Sequence, residues 1–179
     1  MSLVTTAQSS VILWKDLIKS AENRCSITLS EHLESYLIAL LHRYTNKPEL
    51  VQQILAQAFL EAMQMRRNER QVSLQIVGDQ CLLYAGLFPG AAQRKHVKVK
   101  YFVDLGRSAY ANVSKKANDL FWSLAIEFVA LMDVLQTMRD YSDLLPLEAY
   151  EQWEELGSKR ALHILKTYSN AIPFKKNNN

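Results

Sequence analysis

The chain has 179 residues, 49% of them apolar, and a net charge of +3 with histidine neutral. Five glycines and four prolines leave few breaks, which argues against a many-turned β fold. The charge excess is too small to imply nucleic-acid binding by itself, the two isolated cysteines exclude a disulfide framework, and no uncharged run approaches the ~18 residues of a membrane-spanning helix.

Residues 1–9 are small and polar and are expected to fray. They carry no basic segment of the kind that opens a signal peptide. A first helix can start with Ser9 or Ser10 as its cap, and Val11, Trp14, Leu17, Ile18 and Ala21 recur at helical spacing. After a connection at 26–30, a second helix carries Leu33, Tyr36, Leu37, Leu40, Leu41 and Tyr44 on one face. Pro48 is placed to open a third helix, with Val51, Ile54, Leu55, Ala58, Phe59 and Ala62 inward and the basic patch Arg66, Arg67 and Arg70 at its end.

The next segment carries two patterns. Val72, Leu74 and Ile76 alternate as in a strand, whereas Leu74, Val77, Cys81, Tyr84 and Phe88 have helical spacing over a longer run. A lone strand has nothing to pair with, so a helix is expected over 69–88, with Gly78 a weak point and Pro89-Gly90 its end. A basic connection follows: Arg94, Lys95, His96, Lys98 and Lys100. The fifth helix then places Val99, Phe102, Val103, Gly106, Ala109, Tyr110 and Val113 on one face, with Gly106 and Ala109 shallow enough for another helix to come close. A sixth, the most apolar, is expected over 118–140, with Leu120, Phe121, Leu124, Phe128, Leu131, Met132, Leu135 and Met138 on its apolar arc. Pro146 opens a last helix, with Gly157 read as a packing glycine in its stripe, and 172–179 is expected to be a disordered tail. The fold expected is all-α: a single domain over 1–179, a bundle of about seven helices packed around the helix near 118–140.

The chemistry-bearing residues are sparse. His32, His42, His96 and His163 fall on different elements, with no Glu-x-x-His or His-x-x-x-His, so no metal site is expected. Cys81 on a core face reads as a small buried hydrophobe. No nucleophile elbow, P-loop or dinucleotide fingerprint is present, so neither catalytic residues nor a cofactor can be named. Residues 78–112 hold four of the five glycines and most candidate site residues. Asp79 and Arg107 interrupt apolar or small-residue stretches, and a pair across neighbouring helices is the simplest expectation, because a buried charge needs a partner. The alternative is a carboxylate or phosphate pocket built from Asp79, Tyr84, Tyr101, Arg107, Ser108 and Tyr110. Arg94, Lys95, His96, Lys98 and Lys100, with Arg66, Arg67 and Arg70, form a candidate surface for an anionic partner, nucleic acid or lipid, although a short run in a chain of small net charge is more often a solvated loop.

The leading expectation is a cytoplasmic, non-enzymatic helical interaction protein of bacterial style, which binds a protein partner or itself through an apolar groove or homodimer face. A small-molecule binding protein or enzyme with the Asp79 pocket is the second reading, and nucleic-acid or anionic-lipid binding at 94–100 the third. No active-site motif decides between them, since sites assemble from residues distant in sequence.

Overall fold

Apolar residues recur at helical spacing along nearly the whole chain, and the backbone follows that period. The computed structural model describes residues 2–46, 54–88, 97–139 and 144–168. Among them are nine helices and no strand: α1 (Ser2–Cys25), α2 (Glu31–Asn46), α3 (Leu55–Gln64), α4 (Arg67–Leu87), α5 (Val99–Val113), α6 (Leu120–Ile126), α7 (Phe128–Met138), α8 (Pro146–Leu156) and α9 (Lys159–Tyr168). Pro48, Val51, the loop residues Arg94, Lys95 and His96, and the tail 172–179 lie outside the described residues.

Residues 71–77 are helical, and burial shows why. Leu74 and Val77 are buried while Val72 and Ile76 are exposed, a pattern that a strand with 72, 74 and 76 on one face cannot produce. In α5 the face expected from spacing is the face that is buried: Phe102, Val103, Gly106, Ala109, Tyr110 and Val113. The first helix begins at Ser2 rather than at Ser9 or Ser10, so residues expected to fray extend it. Ser10 does not cap it; its hydroxyl lies 3.2 Å from His42 Nδ1 on α2. Ile54 is not inward but precedes α3 as an exposed cap residue.

Among the described residues nine helices stand against the expected seven, and two of the expected long helices are each broken. The expected helix over 118–140 is α6 and α7, bent by 71°. Asn118 has a left-handed φ of 69°, and the Asp119 carboxylate caps α6 by accepting from the Trp122 N–H at 2.8 Å. At Glu127 the backbone leaves helical values, with φ −90° and ψ 14°. The turn separates two environments: α6 exposes Trp122 and Ile126, whereas α7 has no exposed residue. A single straight stripe assumes one environment along the whole run.

Gly157 makes the second break. It has φ 70°, and its N–H donates to the Trp153 carbonyl at 2.9 Å, so it stops α8 instead of packing within a longer helix. Glycine adopts this conformation without the steric cost other residues meet there.

The deepest part of the core is the second half of α4, where Val77 to Gly86 are buried without interruption, together with α7. Three glycines set the helix crossings around it. A Cβ on Gly78 would stand 2.6 Å from the Tyr110 ring, one on Gly86 2.5 Å from Leu135 Cβ, and one on Gly106 2.5 Å from the Phe128 ring and 2.8 Å from Cys81 Cβ. Gly78 is therefore no defect in α4 but the gap that admits Tyr110, and the close approach expected at Gly106 is made by α7 and α4 together.

Candidate functional site

Asp79 stands on α4 in the buried half, where a carboxylate needs partners. It finds them on two other helices. Tyr36 Oη of α2 and Tyr110 Oη of α5 both donate to its Oδ1, at 2.6 and 2.7 Å. Arg43 of α2 lies 3.4 Å from Oδ2, and Gln75 Nε2 donates to Tyr36 Oη at 3.1 Å. The rings reinforce the junction: Tyr36 meets Tyr110 edge to face at 6.3 Å and Phe121 at 6.1 Å. Burial pushes the Asp79 carboxyl above the usual carboxylate range, against the two phenols and the Arg43 charge that act to lower it. Burial and the carboxylate push both phenols upward, so they remain protonated donors rather than bases.

The pair Asp79–Arg107 is not made; the cation beside Asp79 is Arg43. Arg107 follows Gly106 by about 100° around α5, which turns it away from the α4 contact. It is exposed, with Nε donating to the Ala125 carbonyl of α6 at 3.1 Å. Ser108 is also exposed, and its carbonyl accepts from Asn112 Nδ2 at 2.8 Å. Tyr84 belongs to a separate aromatic group, stacked on Phe102 with centroids 5.2 Å apart, and Tyr101 meets the same Phe102 edge to face at 5.3 Å. The six candidate residues thus occupy three places: a buried carboxylate junction (Asp79, Tyr110), an aromatic stack (Tyr84, Tyr101) and an exposed strip of α5 (Arg107, Ser108). Tyr36, Arg43 and Gln75 were not singled out, although Tyr36 and Arg43 share a helical face at i, i+7 and Gln75 precedes Asp79 by four.

Of the basic segment, Lys98 and Lys100 are described. Lys98 Nζ lies 3.4 Å from both Glu151 and Glu155 of α8, and Lys100 pairs with Asp104 on its own helix. Cys81 is fully buried, and burial pushes its thiol far up, so it is not a ready nucleophile. Among the described residues no three His, Cys, Asp or Glu side chains converge as a metal site.

A second buried carboxylate joins α7 to α9. Ser158 Oγ donates to Asp133 Oδ1 at 2.6 Å, and the Arg160 guanidinium donates to Gln136 Oε1 at 3.0 Å. Gln136 Nε2 in turn donates to the Ala85 carbonyl of α4 at 2.9 Å. Burial pushes the Asp133 carboxyl up to about 6, against the Ser158 hydrogen bond and the Arg160 charge. A raised folded value means that the native state takes up the proton first. The stabilisation from this group is therefore complete below the ordinary value of 3.8 and is lost as pH rises through about 6. Urea unfolding from pH 4 to pH 7 should show the wild type losing about 2–3 kcal/mol relative to Asp133→Asn. Parallel pH profiles for the two proteins would contradict it.

Comparison with known proteins gives no match to a family model, a curated protein or a solved structure.

Proposed function

We propose that the chain is a non-enzymatic helical interaction protein that associates with a second copy of itself through the middle of α1, residues 11–17. One observation carries this reading: Val11, Ile12, Leu13 and Leu17 are 40%, 61%, 56% and 37% exposed along seven residues of one helix. Single exposed apolar residues are normal on a protein surface, but four within two turns of one helix are a concentration that a partner can cover. Ile18 and Ala21, further along α1, anchor it against the body, and α1 packs on α2 and α7. We read α7 as the centre on which the other helices, α1 included, are carried. The only charges within the exposed stretch, Lys15 and Asp16, are opposite, adjacent and without an ion pair among the described residues. Two-fold pairing brings the same patch of both copies together, where such charges can compensate each other across the axis. The two free thiols fit a reducing compartment such as the cytoplasm.

Sedimentation velocity over a range of concentrations tests this. The wild type is expected to dimerise, and Ile12→Glu/Leu13→Glu to sediment as a monomer with unchanged circular dichroism. Surface substitutions of this kind should change stability by only about 0.5 kcal/mol. A wild type that stays monomeric throughout sinks the self-association reading.

A further inference from the structure

Of the cations singled out in the sequence, Lys98 and Lys100 are both held by carboxylates. Arg67 and Arg70 of the basic patch are not, among the described residues. Between the start of α4 and the end of α5 lies a cleft of about 420 Å³ whose charged lining is Arg67, Arg70 and Lys115. Among the described residues none of the three makes an ion pair with a carboxylate. Arg70 is half-buried, and its Nη2 donates only to neutral acceptors, Met63 Sδ at 3.2 Å and Asn112 Oδ1 at 3.4 Å. These contacts hold the guanidinium in place while its remaining donors stay available. The Gln71 side-chain amide also lines the cleft and makes no hydrogen bond among the described residues. The nearest acid in the loop, Asp119, is occupied: its carboxylate accepts from the backbone N–H groups of Lys115, Lys116 and Trp122. Glu69 is exposed on the first turn of α4 and is not part of the lining.

We infer that this cleft binds a small phosphate monoester. Three converging cations suit a dianion better than a single carboxylate, which would leave most of their charge uncompensated. Guanidinium groups match the oxygen spacing of phosphate in a way a point charge does not. The volume exceeds what the phosphoryl group needs and falls within the range of small-molecule sites, so an organic moiety can lie beside Met65 and Gln71. The cations converge on one depression instead of tracking along a face, which favours a compact ligand over a nucleic-acid strand.

Isothermal titration of the full chain with inorganic phosphate and with glycerol 3-phosphate, at ionic strength fixed by chloride, tests the assignment. Saturable one-to-one binding is expected, tighter for the monoester. Arg67→Gln/Lys115→Gln, at two exposed positions, should weaken it at least tenfold without moving the unfolding midpoint. Lys166→Gln, in a separate basic depression beside Cys25 and His163, should leave affinity unchanged. Absence of saturable binding by either probe, or an affinity indifferent to the double substitution, would overturn the inference. So would binding of a single-stranded oligonucleotide without binding of the monoester, which would reassign the cleft to nucleic acid.

Discussion

Gly86→Ala is expected to destabilise the protein by about 2–3 kcal/mol, although alanine in a helix interior normally gains ~1 kcal/mol over glycine. The reason is what the added methyl would meet. Its nearest neighbour is Leu135 Cβ at 2.5 Å, an atom fixed to the α7 backbone, so relief requires the two helices to separate. At Gly106 the nearest atoms belong to the tip of the Phe128 ring, but Cys81 Cβ stands behind at 2.8 Å and Phe128 is itself fully buried. Gly106→Ala should therefore lose less than Gly86→Ala, and Gly106→Leu should not accumulate as folded protein. Denaturant unfolding decides the matter: a Gly86→Ala variant as stable as the wild type would mean that α4 and α7 do not cross there.

The second large effect concerns the Asp79 junction. Tyr36→Phe/Tyr110→Phe keeps both rings and removes both donors from a nearly buried carboxylate. At pH 7 the double variant should lose about 3 kcal/mol, because the charge is left with the half-exposed Arg43 alone. The loss should depend on pH in a definite sense. Removing the phenols raises the folded carboxyl further above its ordinary value of 3.8. The variant's penalty is thus largest above that raised value and shrinks as pH falls below it, as Asp79 becomes protonated in the native state of both proteins. Adding Asp79→Asn to the double variant should recover part of the loss at pH 7, since a neutral amide costs less to bury than a charge. A penalty that stays constant as pH is lowered from 7 toward 3.8, with no recovery on neutralising Asp79, would show that the junction contributes through packing alone.

Which parts of this arrangement could be read from the chain follows from the range of the forces involved. The buried face of α5 was legible because a 3.6-residue period is a local property, repeated over 15 residues. The break at Glu127 was not, because both sides of it are apolar and the change of direction answers to what surrounds each half. Gly157 was ambiguous for a related reason: the stripe of α8 continues in register across it, and only its φ reveals the stop. Among the candidate site residues, Asp79 was conspicuous as a charge in an apolar stretch, but its partner was misassigned. Arg107 was the nearer cation in sequence to the face that packs on α4. Arg43 sits on a helix whose position relative to α4 is decided by tertiary packing, and no spacing rule reports that. The cationic cleft was half visible, in Arg67 and Arg70; Lys115 joins them because α5 ends beside the start of α4.

The glycine crossings also constrain how this fold can vary through descent. Positions 78, 86 and 106 admit no side chain while Tyr110, Leu135, Phe128 and Cys81 keep their places. In any divergent relative, a larger residue at one of them must be matched by a smaller one opposite: alanine at 106 with a trimmed 128, or alanine at 86 with a smaller residue at 135. Such paired exchanges, at separations of about twenty to fifty residues, are a covariation pattern by which relatives too distant for residue identity could still be known.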